Sequence, residues 1–202
     1  RYSEITNKNQ REIVLLKAFP CVWGKCSFCD YILDNSNFED EINKVNFEVL
    51  ENITGKYKVL EVINSGSVFE LTQKTLEEIK RIVKEKNIKI LYFEIYYGYI
   101  KRIEEIKKYF SGVEIRFRMG IETFDNNFRV KVYNKNFILE EKEIIEISKK
   151  LFSVCLLICV KGQTKEMIEN DIKIALENFQ GVTINIFINN GTVIERDNEL
   201  VK

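Results

Sequence analysis

No histidine occurs anywhere in this chain of 202 residues. Any metal site must therefore draw on cysteine, carboxylate or non-protein ligands, and any proton transfer must use Glu, Asp, Lys, Tyr or Cys. Net charge is lacking as well, because 31 basic residues balance 31 acidic ones. A nucleic-acid binder usually carries a basic excess or stripe. Here Lys and Arg are interleaved with Glu and Asp along helix-like stretches, which is the pattern of solvated faces. The balance favours a small-molecule substrate over nucleic acid as the partner. No apolar run approaches the roughly 20 residues that cross a bilayer, so no membrane partner is expected. There is one proline, Pro20, and no low-complexity segment. The five cysteines are an odd number, and Cys155 and Cys159 lie in an apolar, strand-like run. No disulfide framework is visible, and a reducing cytoplasm is the expected compartment. The first residue is Arg1, not Met, as in a cropped chain.

What is present is concentrated at Cys21-Val22-Trp23-Gly24-Lys25-Cys26-Ser27-Phe28-Cys29. Three cysteines within nine residues, spaced C-x4-C-x2-C, read as metal ligands. Without histidine, a four-coordinate site built on them is one protein ligand short. Structural zinc wants four closed ligands. A cubic iron–sulfur cluster instead takes thiolates on three irons and can leave the fourth for a non-protein ligand. A zinc-binding interaction module stays open as the competing reading.

The rest of the chain alternates strand and helix patterns. Short apolar runs predict strands at 13–17, 58–64, 88–95, 113–119, 151–160 and 182–188. Apolar residues at helical spacing predict helices at 38–53, 72–86, 100–110, 140–150 and 165–179. Thr72 and Thr75 offer N-caps, and Gly55 offers a helix stop. Six strands alternating with five helices imply right-handed crossovers and a parallel sheet in one α/β domain spanning 1–202. Periodicity leaves open whether the sheet closes partly into a barrel. The active site belongs at the carboxyl ends of the strands in either case. In the fourth predicted strand Glu114, Arg116 and Arg118 alternate with apolar residues and are expected to face a ligand cavity. In the sixth, Ile184, Ile186 and Ile188 are expected to face helices, with Asn185, Phe187 and Asn189 on the cavity side; the competing reading is an edge strand facing water.

The cysteine loop resembles that of the radical S-adenosylmethionine (SAM) enzymes, whose usual signature is C-x3-C-x-aromatic-C. Phe28, directly before Cys29, takes the aromatic position. The first spacing is x4, and Gly24 permits the extra residue to bulge. The resemblance implies a partial (β/α)6 barrel, a [4Fe–4S] cluster held by Cys21, Cys26 and Cys29, and SAM on the fourth iron. It implies an electron donor such as flavodoxin or ferredoxin, and a 5′-deoxyadenosyl radical that abstracts hydrogen from substrate. It places Ser65, Gly66 and Ser67 at the SAM amino group. The segment Gly120-Ile121-Glu122-Thr123, continued by Asp125 and 129–136, matches one in which the glutamate reaches the SAM ribose. Arg118 is the candidate for the SAM carboxylate, and Val160 for the adenine wall. The competing reading of Arg118 and Glu122 is an ion pair between them.

The short form, the x4 spacing and Cys26-Ser27-Phe28-Cys29-Asp30-Tyr31 look like a small clostridial-type subgroup of this family that includes queuine lyases. That resemblance implies cleavage of queuine, a 7-deazaguanine base, to 7-aminomethyl-7-deazaguanine, a salvage step for queuosine. A deazaguanine needs a carboxylate for its N1–H and amino edge and aromatic or apolar walls. Glu94 is the candidate carboxylate, with Tyr96, Tyr97, Tyr31 and Phe69 as walls and Asn189 as a further polar contact. The alternative within the family is a tRNA-modifying enzyme. The competing reading of the aromatic residues is helix-packing filler.

Overall fold

The computed structural model describes residues 1–202 and holds seven strands, each neighbouring the next in chain order. The chain resolves into two compact units, Arg1–Val22 with Tyr31–Phe117, and Trp23–Asp30 with Arg118–Lys202.

The first unit contains β1 (Tyr2–Ile5), β2 (Arg11–Leu16), β3 (Val59–Asn64) and β4 (Ile90–Glu94), and the start of β5 (Glu114–Glu122). β2, β3 and β4 run parallel, with Ile13 opposite Glu61 and Glu61 opposite Tyr92. Three helices accompany them: α1 (Glu39–Leu50), α2 (Gln73–Glu85) and α3 (Ile103–Tyr109). One sheet face supplies Val14, Leu16, Leu60, Val62, Leu91 and Phe93, all wholly buried together with Ile42 of α1 and Ile79 of α2. This is the period-2 pattern meeting the 3.6 pattern. α2 starts where its cap predicts, with the Thr72 side chain accepting from Thr75 N–H at 3.0 Å. The opposite face mixes apolar residues such as Ile13, Leu15 and Ile63 with charged ones and is mostly half-buried. Arg11 pairs with Glu61, and the Arg116 guanidinium donates to the Tyr92 hydroxyl at 2.7 Å and to Glu114 at 2.6 Å. Asn46 brackets the end of β2: its Oδ1 accepts from Lys17 N–H at 2.7 Å and its Nδ2 donates to the Lys17 carbonyl at 2.8 Å. The chain thus enters the cysteine loop in a fixed direction.

β1 is an addition to the six expected strands. It runs antiparallel to β2. Four polar-flanked residues give little periodic signal, and the strand is fixed by a buried carboxylate. Glu12 accepts from the Tyr2 hydroxyl at 2.9 Å, Thr54 N–H at 2.7 Å and Gly55 N–H at 2.7 Å. Gly55 sits at φ +74°, and a Cβ there would lie 2.6 Å from Lys86 Cβ.

The second unit holds the rest of β5, then α4 (Asn126–Lys131), α5 (Glu141–Ser148), β6 (Ser153–Ile158), α6 (Lys165–Asn178) and β7 (Gly181–Ile186). α4 is the second addition, a short helix capped by Asp125, whose carboxylate accepts from Phe128 N–H at 2.7 Å. β5 buries Phe117, Met119 and Ile121 and leaves Glu114 exposed and Arg116 and Arg118 half-buried, as the alternation predicts. β7 overturns an expectation. Ile184, Ile186 and Ile188, expected to be covered by helices, are 42–70% exposed, because β7 is the edge strand of the sheet. Phe187 is buried instead, with Phe128, Tyr133, Leu157 and Val160.

Candidate active site

The cysteine loop follows β2. Cys21, Cys26 and Cys29 are half-buried thiols, whereas Cys155 and Cys159 are core residues. The Cys159 thiol donates to the Leu200 carbonyl, and burial pushes its pKa up, away from the thiolate form that binds metal. Gly24 takes φ +60°, which accommodates the fourth intervening residue.

Residues 23–30 are seated on the turn after α4, within the second unit. Trp23 Nε1 donates to the Asn134 carbonyl at 2.6 Å, and Asn134 Nδ2 donates to the Lys25 carbonyl at 2.7 Å. Ser27 N–H reaches the Tyr133 carbonyl and its hydroxyl the Val132 carbonyl, at 3.1 and 2.7 Å. The Phe28 ring meets Tyr133 edge-on at 5.3 Å, and Asn190 Nδ2 donates to the Phe28 carbonyl. The aromatic residue of the motif is thus a packing anchor. No three Cys, Asp or Glu side chains are gathered as ligands of one metal ion. Half-exposed thiols on a pre-seated loop fit a cubane, which spreads three thiolates over three irons, better than a closed zinc site.

In the first unit the turn Ser65-Gly66-Ser67 follows β3 and borders the first cysteine. A Cβ at Gly66 would lie 3.3 Å from Cys21 Cβ and 2.7 Å from Glu70 Oε2, so a larger residue would displace the Glu70 carboxylate. Ser67 and Glu70 form a reciprocal capping box on the short turn Val68–Glu70. Glu70 is buried; its Oε1 accepts from Val22 N–H at 3.2 Å and its Oε2 from Ser67 N–H. Burial raises its pKa against the pull of these donors and of the Tyr99 hydroxyl. Asn64 Oδ1 is buried in the same turn without a hydrogen-bond partner. An unsatisfied acceptor of this kind suits an ammonium donor such as that of SAM.

The proposed substrate residues are spread over both units. Glu94, Tyr96 and Tyr97 are half-buried at the end of β4 and just after it, and Tyr31 is exposed. Phe69 is half-buried but already occupied: its ring lies 4.9 Å from that of Tyr99, with the Arg102 guanidinium 4.2 Å above it. Asn189, in the second unit, is exposed, and its Oδ1 accepts from Arg196 N–H at 2.7 Å.

At the end of β5, Arg118 Nε lies 3.3 Å from Ser153 Oγ. Glu122 pairs with Lys135 at 2.8 Å, an ion pair with side chains only 9% and 8% exposed. Glu122 adopts φ +68° where the β5–β6 register shifts. Next to it, the wholly buried Arg129 guanidinium collects the Thr123 carbonyl at 2.5 and 3.0 Å and Asn126 Oδ1 at 2.5 Å, and burial lowers its pKa to about 10. Val160 is wholly buried among Phe128, Tyr133, Leu157 and Phe187.

Sequence reasoning missed Lys135, Arg129 and Glu70. Glu70 carried a signal, since Ser67-Val68-Phe69-Glu70 has the S-x-x-E spacing of a capping box. Lys135 and Arg129 carried none beyond their place in the segment after β5.

No protein-family model and no curated protein match the chain. Among solved structures, the chain is similar to a queuine lyase from Clostridium spiroforme bound to SAM and queuine, with 52% identity and a TM-score of 0.95 over 100% of this chain and 86% of that one. It is also similar to SuiB of Streptococcus suis, bound to S-adenosylmethionine, with 11% identity and a TM-score of 0.52 over 90% of this chain and 40% of that one. The second likeness is one of fold alone.

Proposed function

Because the chain belongs to the radical SAM family, in the group of the queuine lyase that it matches along its whole length, we propose that it cleaves queuine to 7-aminomethyl-7-deazaguanine as a carbon–nitrogen lyase. The observation that carries the reading is the 52% identity over the full chain to a protein bound to SAM and queuine. The fold is the partial (β/α)6 barrel of that family. The cofactors are SAM and a [4Fe–4S] cluster. Bound together, they would supply the radical chemistry that removes hydrogen from the substrate.

The chain's own residues bind, orient and shield. Cys21, Cys26 and Cys29 hold the cluster on a loop whose shape is set by Trp23, Ser27 and Phe28 against residues 132–134. The turn of Ser65, Gly66 and Ser67 offers acceptors to the SAM ammonium, and Arg118 pairs with its carboxylate. Glu94 accepts from the N1–H and amino edge of the base, with Tyr96 alongside. A free base suits a chain of zero net charge better than a tRNA does. The reading carries with it a low-potential donor such as flavodoxin or ferredoxin and a cytoplasmic setting. No helix is long and apolar enough to cross a membrane.

Glu94→Gln tests the base recognition. It replaces a carboxylate facing two donors by an amide with one acceptor and one mismatched donor. The expected result is a loss of about tenfold or more in kcat/KM on queuine, because a site left with unpaired buried polar groups discriminates strongly. Full activity in the variant would remove Glu94 from the substrate site.

A further inference from the structure

Three loops leave the carboxyl ends of the parallel strands β2, β3 and β4: the start of the cysteine loop, the Ser65-Gly66-Ser67 turn, and the turn Tyr97–Arg102. One side chain reaches all three. The Glu70 carboxylate takes Val22 N–H, next to Cys21, on Oε1 at 3.2 Å and takes Ser67 N–H on Oε2, and its electrostatic influence reaches the Tyr99 hydroxyl, whose ring lies 4.9 Å from that of the adjacent Phe69. Its own backbone adds a fourth tie, because the Glu70 carbonyl accepts from Phe19 N–H at 3.0 Å. Gly66 lets the turn approach closely, since a Cβ there would meet Glu70 Oε2 and Cys21 Cβ. On the far side, Tyr99 lies against Phe69, and the Arg102 guanidinium sits over both rings at 4.2 and 5.5 Å.

We propose that Glu70 is a positioning residue that sets the cysteine loop and the SAM turn against the substrate-side loop after β4, so that the substrate is held in register with the radical source. The proposal rests on the queuine-lyase reading, because it assigns the loop after β4 to substrate. Its physical basis is the geometry of a carboxylate. Two oxygens accept from several donors at once, and a buried carboxylate that takes donors from two loops, beside a Phe69 ring stacked on the third, fixes those loops relative to each other. Radical transfer depends on that register, since a misplacement of about 1 Å can cost about a hundredfold in rate. A side chain that only stapled loops would lower stability and all kinetic constants together. One that sets register also changes how faithfully each radical is used.

Two variants separate these roles. Glu70→Gln keeps the volume but turns one acceptor oxygen into a donor that faces a backbone N–H. Tyr99→Phe keeps the ring against Phe69 and removes only the hydroxyl that acts on Glu70, and it keeps the proposal testable if Glu70→Gln does not fold. Three readouts apply: hydrogen exchange at the Val22 and Ser67 amides before cluster reconstitution, SAM affinity of the reconstituted enzyme by calorimetry, and 5′-deoxyadenosine formed per queuine cleaved. Glu70→Gln is expected to speed exchange at both amides and weaken SAM binding about tenfold. Tyr99→Phe is expected to leave both unchanged while raising 5′-deoxyadenosine per cleavage about threefold or more. Wild-type SAM affinity in Glu70→Gln together with a wild-type ratio in Tyr99→Phe, with only the melting temperature lowered, would overturn the proposal. If wild-type enzyme leaves queuine intact, the lyase reading falls alone. The exchange and affinity results then still judge the link between cysteine loop and SAM turn, and unchanged values overturn it.

Discussion

Replacing Lys135 by methionine removes the cation from the most enclosed ion pair near the cysteine loop. Lys135 Nζ lies 2.8 Å from Glu122 Oε1, with both side chains under a tenth exposed. It also sits over the Phe28 ring at 5.5 Å and the Phe137 ring at 5.9 Å. Methionine keeps most of the volume and the apolar stem but leaves the Glu122 carboxylate buried without its partner. Breaking a buried pair on one side costs roughly 3–5 kcal/mol. A chain of this size shifts by roughly 2–4 °C per kcal/mol, so the melting temperature should fall by about 6–20 °C. The double variant Glu122→Gln with Lys135→Met takes away both charges and should recover most of that loss. Thermal melts of the protein before cluster reconstitution read both effects, so cofactor content does not enter the comparison. If Lys135→Met melts with the wild type, or if the double variant is as unstable as the single one, the ion pair is not what holds the strained turn at Glu122.

Cys21→Ala, Cys26→Ala and Cys29→Ala should each abolish the roughly four irons per chain gained on anaerobic reconstitution, while Cys155→Ala and Cys159→Ala keep them. Iron and sulfide analysis decides, and a full cluster in any of the first three would undo that ligand's assignment. Arg118→Ala should weaken SAM binding about tenfold or more with the cluster intact, as loss of a charge-assisted hydrogen bond does. Unchanged affinity by calorimetry would remove Arg118 from the SAM site.

The fold was legible where periodicity was strong. The alternating residues of β5 and the spaced isoleucines and valines of α2 announced both their elements and their buried faces. β1 was not legible, because its four residues owe their place to Glu12 and to β2, neither of which its own pattern reveals. The isoleucines of β7 misled for a related reason. Alternation says that a strand has two kinds of face, but only the tertiary arrangement says whether anything covers them. At the site, the cysteine spacing and Phe28 were plain in the text of the chain. The partners of Glu122 and Arg118 were not. The sequence offered each to the other, and Lys135, thirteen residues on, took Glu122 because the turn after α4 folds back on the end of β5.

The central claim is that this chain turns queuine over by radical chemistry. The most direct measurement incubates reduced, reconstituted wild-type enzyme with SAM and queuine without oxygen, and follows the products by chromatography with mass detection. The account predicts 7-aminomethyl-7-deazaguanine appearing in step with 5′-deoxyadenosine. 5′-Deoxyadenosine formed only at the background rate, with queuine recovered intact, would contradict it.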